Sequence, residues 1–139
     1  SLANDFRDRG IANREAVRAL LEKRKVLFCM NGHDHGDGCT IINGIPYITL
    51  NSMSYIWHGM KELYAYDAKT HEKYPSLKNM ILYQEPLHAF VEISDKEARI
   101  TGMDGHYHTI TPEDAEIGRT WNGVSIEPKV LSRTVKLPR

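Results

Sequence analysis

The chain has 139 residues, 41% of them hydrophobic and 26% charged, with 18 basic residues set against 18 acidic ones. That length can bury a core of ordinary size, and no run approaches the ~18 consecutive apolar residues that a membrane span requires. Balanced charge leaves no global basic platform for a nucleic acid, and 9% aromatic residues within apolar blocks argue against a disordered or low-complexity chain.

The chain begins at Ser1 with no basic-then-apolar leader behind it, which reads as a start that was processed or cut from something longer. Localisation is left open on that ground. Asn13 then opens a helix with Val17, Leu20 and Leu21 on one face, and Lys23, Arg24 and Lys25 suit the negative end of its dipole. Val26-Leu27-Phe28-Cys29-Met30 is a continuous apolar run, the pattern of a strand buried on both faces. Cys29 and Cys39 are too few for a disulfide framework and read as small buried hydrophobes, with a metal role for Cys39 left open.

Residues 31–38 are a loop by composition. Thr40-Ile41-Ile42 and residues 45–50 pair across the Asn43-Gly44 turn, a strong hairpin signal. Further on, Ile56, Met60, Leu63 and Tyr64 line one helical face, with a turn near Tyr74-Pro75, and the density of tyrosine and tryptophan over residues 52–85 predicts a packed excursion. Residues 87–93 and 98–102 form a second hairpin across Ser94-Asp95-Lys96-Glu97. From Thr111 the chain is polar, with Pro112, Pro128 and Pro138, and reads as a tail draped over the rest. No internal repeat is present.

The chemistry concentrates in Gly32-His33-Asp34-His35-Gly36, directly after the apolar run. Ligands in α/β proteins collect at the carboxyl ends of strands, where this loop falls. In an extended segment, residues i and i+2 point the same way roughly 7 Å apart. Two imidazoles so placed are too distant for one ion, but each can serve one ion of a pair held about 3.5–4 Å apart. Gly32, Gly36 and Gly38 let the backbone come close to a metal or phosphate, and Asp34 and Asp37 can orient the loop or the imidazoles from behind. The alternative is a loop of solvated histidines, against which the strand, glycines and hairpin weigh. Tyr55, Trp57 and His58 either face substrate or form a half-exposed aromatic patch. His71 and His88 read as structural, and Asp104-Gly105-His106-Tyr107-His108 as a polar turn. Serine-hydrolase elbows, Walker-type loops and Cys-x-x-Cys pairs are absent from the sequence.

The stretch from Asn13 to Met53, centred on residues 26–36 and followed by Ile45-Pro46-Tyr47-Ile48-Thr49-Leu50, resembles the C-terminal part of calcineurin-like metallophosphoesterases, whose last motif is Gly-His-x-His between a strand and a hairpin. Residues 74–78 through 86–93 look like a bacterial branch of that family, and the resemblance covers roughly residues 11–102. It implies the C-terminal half of a four-layer α/β/β/α sandwich, a mixed α/β fold. It also implies a dinuclear site of divalent or trivalent Mn, Fe or Zn, with His33 on the second metal and His35 on the first. The family's earlier motifs (Asp-x-His, Gly-Asp-x-x-Asp, Gly-Asn-His-Asp/Glu and a further metal-ligating His) do not precede residue 32 here. The expectation is therefore one partial domain over residues 1–139, with 11–102 the phosphoesterase portion and 103–139 a C-terminal tail. That portion would belong to an enzyme that hydrolyses phosphate esters with metal-activated hydroxide, and this chain alone would be inactive. The alternative expectation is a non-catalytic module that self-associates into a homo-oligomer through surface its missing half should cover.

Overall fold

A computed structural model describes residues 2–3, 10–59 and 61–136 of the chain. Helix α1 (Arg14–Glu22) begins where expected, but Asn13 makes no capping hydrogen bond through its side chain and no residue of the helix is buried. Val17 and Leu21 are half-buried, Leu20 is 63% exposed, and the three basic residues lie beyond the last turn.

Strand β1 (Cys29–Asn31) is shorter than the apolar run that announces it. It occupies the edge of a three-stranded sheet ordered β1-β3-β2, where β2 is Gly38–Ile42 and β3 is Ile45–Thr49. The expectation of a strand buried on both faces is thus corrected: β1 has one neighbour, and Met30 is exposed. Burial falls instead on β3, every residue of which is buried. β1 runs parallel to β3, with Cys29 opposite Tyr47 and Asn31 opposite Thr49. β2 and β3 form the expected antiparallel hairpin. Its turn residues, Asn43 (φ 50°) and Gly44 (φ 81°), both take the left-handed backbone that a two-residue hairpin turn requires. Cys29 is half-buried and Cys39 exposed, so neither is the buried hydrophobe expected.

The expected helical face around residue 56 is replaced by a strand. Tyr55-Ile56-Trp57, β-branched and aromatic, forms β4 (Tyr55–Trp57) with Ile56 buried and Trp57 exposed. Gly59, at φ 62°, then turns the chain out of the strand. Leu63 sits in a loop whose amide donates to the Lys78 carbonyl at 2.8 Å, and Met60 lies outside the described residues. Helix α2 (Ala68–Lys73) is capped by Asp67, whose carboxylate accepts the Thr70 amide at 2.9 Å. A 3-10 turn, Pro75–Asn79, leads into β5 (Met80–Leu82), which pairs antiparallel with β4.

The second hairpin forms as β6 (Phe90–Ile93) and β7 (Glu97–Thr101). The C-terminal residues are not the draped tail expected but an integral part of the fold. The chain continues through β8 (Met103–Asp104), β9 (Thr120–Trp121), β10 (Val124–Ser125), β11 (Lys129–Val130) and β12 (Arg133–Lys136). β11 pairs with β8, and β12 joins β7 on the side opposite β6. A Cβ on Gly102 would collide with the carbonyl of Val130, so this crossing needs a glycine. Pro138 lies outside the described residues.

The result is a mixed α/β fold with few helices and several small sheets. One apolar cluster gathers Ile56, Ile81, Tyr83, Leu87, Ala115, Ile126 and Val130, and a second gathers Ile48, Ala98, Ile100 and Val135. Both therefore draw on residues beyond Thr111. Among the described residues no helix is long and apolar enough to cross a membrane.

Candidate functional site

The loop between β1 and β2 is tied at both ends. At its start, Asn31 exchanges side-chain hydrogen bonds with Thr49 (3.2 and 3.4 Å) and its carbonyl accepts the Leu50 amide at 2.9 Å. At its end, Asp37 forms a backbone bridge with Ser125, its amide and carbonyl bonding at 2.7 and 2.9 Å. The buried Asp37 carboxylate also accepts the Leu131 amide at 3.3 Å and receives both terminal nitrogens of Arg133. Asp37 therefore fastens the end of the loop to Arg133 of β12.

Between these ties the backbone is not extended. His33 has φ 79° and His35 φ 49°, both left-handed, so the i, i+2 geometry of an extended segment does not apply. The two side chains nevertheless line the same cleft, of about 260 Å³, together with Asp34, Tyr55, Trp57 and Trp121. His33 is exposed and His35 half-buried.

The glycines act differently from the expectation. None of Gly32, Gly36 and Gly38 is among the residues of positive φ, and Gly32 has open space around it. A Cβ on Gly36 would strike the Val124 side chain and come 2.8 Å from the Ser125 carbonyl, and one on Gly38 would come 2.8 Å from Val124. These two glycines admit strand β10, not a ligand.

His35 is held by its neighbours. Its ring packs edge-on against Tyr55, centroids 4.7 Å apart, and its Nδ1 accepts the Trp57 amide at 3.3 Å. A neutral ring that accepts through Nδ1 carries its proton on Nε2. Ligation of a cation through Nε2 therefore requires the long Trp57 contact to be released and the proton to move to Nδ1. Asp34 is 3% exposed, and its Oδ1 has no hydrogen-bond partner among the described residues. A buried carboxylate oxygen without a donor is costly. Among the described residues, no three His, Cys, Asp or Glu side chains are gathered to hold a metal ion.

His58, expected beside Tyr55 and Trp57, turns away. It is buried, it does not line the cleft, and burial pushes its imidazole below the usual histidine range. The other histidines serve packing or local pairing. His71 is buried against Tyr64 and Tyr66, and its Nε2 accepts the Tyr66 amide at 3.2 Å. His88 contacts the Pro86 carbonyl at 3.0 Å. His106 closes onto Glu85 at 2.8 Å and holds that carboxylate below its ordinary range. His108 meets the Tyr66 hydroxyl at 3.0 Å.

Two contributors carry no signal in motif spacing: Trp121, which walls the cleft from β9, and Arg133. Trp121 is one of only two tryptophans in the chain, and that rarity is the sole hint. Comparison with protein-family models, curated proteins and solved structures finds no match to this chain.

Proposed function

We propose that this chain carries the last metal-ligating segment of a calcineurin-like metallophosphoesterase, a hydrolase of phosphate esters, within an α/β/β/α sandwich. His33 and His35 would hold Mn, Fe or Zn ions of a dinuclear site. The observation that carries this reading is the loop itself. Its two histidines adopt left-handed backbone and line one cleft at the carboxyl end of β1. Backbone strain of that kind, about 1–3 kcal/mol per residue, collects at functional sites.

The donor set suits a cation: imidazole nitrogens that ligate when neutral, and a buried Asp34 oxygen with no donor. In the family that the chain resembles, the remaining ligands belong to motifs preceding this one. When bound, the metal pair supplies Lewis acidity toward phosphoryl oxygens and a hydroxide nucleophile near neutral pH. This chain's own residues position the site. Asp37 and Arg133 fix the end of the loop, Tyr55 packs edge-on against the His35 ring, and Trp57 and Trp121 line the cleft. The test is hydrolysis of 4-nitrophenyl phosphate, with each metal in turn, by the protein that joins this segment to the earlier motifs. A His33→Ala, His35→Ala double variant should fold and lose turnover, and undiminished turnover would sink the assignment.

A second reading, a non-catalytic module that self-associates, is favoured by one feature. β6 is an edge strand exposed along its whole length, with Phe90 66% and Ile93 61% exposed. Such an edge invites pairing with another copy. Sedimentation of the chain should then show a dimer or larger species, and a clean monomer at high concentration removes this reading.

A further inference from the structure

The cleft is lined by two chemically distinct sets of side chains. One set is His33, His35 and Asp34; the other is the indoles of Trp57, from β4, and Trp121, from β9. These are the only two tryptophans in the chain, and strands remote in sequence bring both to one small cavity. Trp57 is 41% exposed although it ends a paired strand, and its indole leans toward Gly59, where a Cβ would lie 3.2 Å from Nε1. Among the described residues neither indole stacks on another aromatic ring, whereas Tyr55 is already engaged edge-on with His35. Trp121 is half-buried against the first apolar cluster and Trp57 is exposed, and an indole surface that lines a cleft is a site for a flat ring to stack. At about 260 Å³ the cleft is smaller than the ~300–1,000 Å³ of drug-sized pockets, which leaves room for one ring and one phosphate.

We propose that Trp57 and Trp121 form an aromatic clamp that selects phosphate esters bearing a single planar aromatic group. The proposal rests on the phosphoesterase reading for the phosphate and on the indoles alone for the ring. Stacking of a ring on an aromatic side chain changes affinity by roughly tenfold or more.

Because both tryptophans line the cleft, intrinsic fluorescence excited at the indole band reports on it directly. The 139-residue chain is titrated with phenyl phosphate, glycerol 1-phosphate and inorganic phosphate, once with a chelator and once with Mn²⁺. Phenyl phosphate should give a saturable change at a concentration at least on the order of tenfold below glycerol 1-phosphate in both buffers. Trp57→Leu should abolish that preference, with Trp121 as the remaining reporter. Trp57→Phe should keep it, which separates stacking from packing. Equal titration by phenyl and glycerol phosphates, no saturable change with phenyl phosphate, or an unaltered preference in Trp57→Leu overturns the clamp. A preference for phenyl phosphate that persists while Mn²⁺ has no effect upholds the clamp and counts against the metal reading instead.

Discussion

The carboxylate of Asp37 and the guanidinium of Arg133 meet in a two-point ion pair at the end of the histidine loop, with the Asp37 side chain fully buried and Arg133 half-buried. Arg133 Nη1 also donates to the Leu131 carbonyl at 3.0 Å, so the pair binds β12, the preceding turn and the loop together. A planar guanidinium suits this better than an ammonium, because it bonds two oxygens at once.

Removing one partner leaves a buried charge. Arg133→Met should lower unfolding free energy by about 3 kcal/mol, and combining it with Asp37→Asn should restore part of the loss. Urea unfolding of the two single variants and the double variant measures the coupling. An Arg133→Met midpoint equal to wild type removes the role assigned to this pair.

His33 is exposed at φ 79°, a conformation that glycine adopts without strain. His33→Gly should therefore raise stability by about 1 kcal/mol and, on the proposed metal reading, should weaken metal binding. Thermal unfolding and metal titration on the same variant test both halves. A variant less stable than wild type would show that the His33 side chain contributes packing that outweighs the strain.

His58 gives the fold a pH dependence of definite sign. Its folded-state value lies below the ordinary ~6.5 of the unfolded chain, so on acidification the unfolded state takes up the proton first. Stability from this group is complete above about pH 6.5 and falls as pH drops through the folded value. The lowered carboxylates, among them Glu85 and Glu97, withdraw their contributions only at lower pH, below the ordinary glutamate range. Comparing urea midpoints at about pH 7.5 and about pH 5, either side of the ordinary imidazole value, reads the effect of His58. His58→Leu should flatten that difference, and an unchanged slope refutes the assignment.

Tyr83 and Tyr107 lie 6.2 Å apart, centroid to centroid, and both hydroxyls donate to the Ile126 carbonyl, at 3.4 and 3.2 Å. The single Tyr83 proton is shared between that carbonyl and the nearer Asn51 Oδ1, at 3.0 Å, while Asn51 Nδ2 reaches the carbonyls of Glu127 and Lys129. Burial pushes the Tyr107 phenol up to about 12 and Tyr83 higher still. Tyr83→Phe should destabilise the fold by about 1–2 kcal/mol, since Asn51 Oδ1 loses its hydroxyl donor. Alkaline absorbance titration should find both phenols ionising well above free tyrosine. Ionisation of either at the ordinary value would contradict their burial.

Sequence signals are legible where the physics is local. Asn43-Gly44 specifies a turn because few other pairs tolerate two left-handed residues, and Ser94 closes the β6–β7 turn through its own hydroxyl. The histidine loop is visible as a composition, but its geometry is not. Positive φ falls on His33 and His35 and not on the glycines, because β10 presses on Gly36 and Gly38 from outside. That pressure comes from residues far along the chain, and no window around residue 36 contains it. The strand at Tyr55–Trp57 escapes a sequence reading for a related reason. Its partner Met80–Leu82 lies beyond a helix and a 3-10 turn, so the helical spacing of Ile56 and Leu63 carries no tertiary information.

The tie between residue 37 and residue 133 also sets an order of events in folding. A loop end fastened by contacts of such long sequence separation cannot settle early, because its closing partner lies 96 residues further along the chain. On the ribosome the start of the histidine loop can close against Thr49 and Leu50, while its Asp37 end stays unfastened until β12 is released. Any nascent chain interrupted before Arg133 carries both imidazoles, and the Asp37 carboxylate, without the guanidinium that fastens the end of their loop.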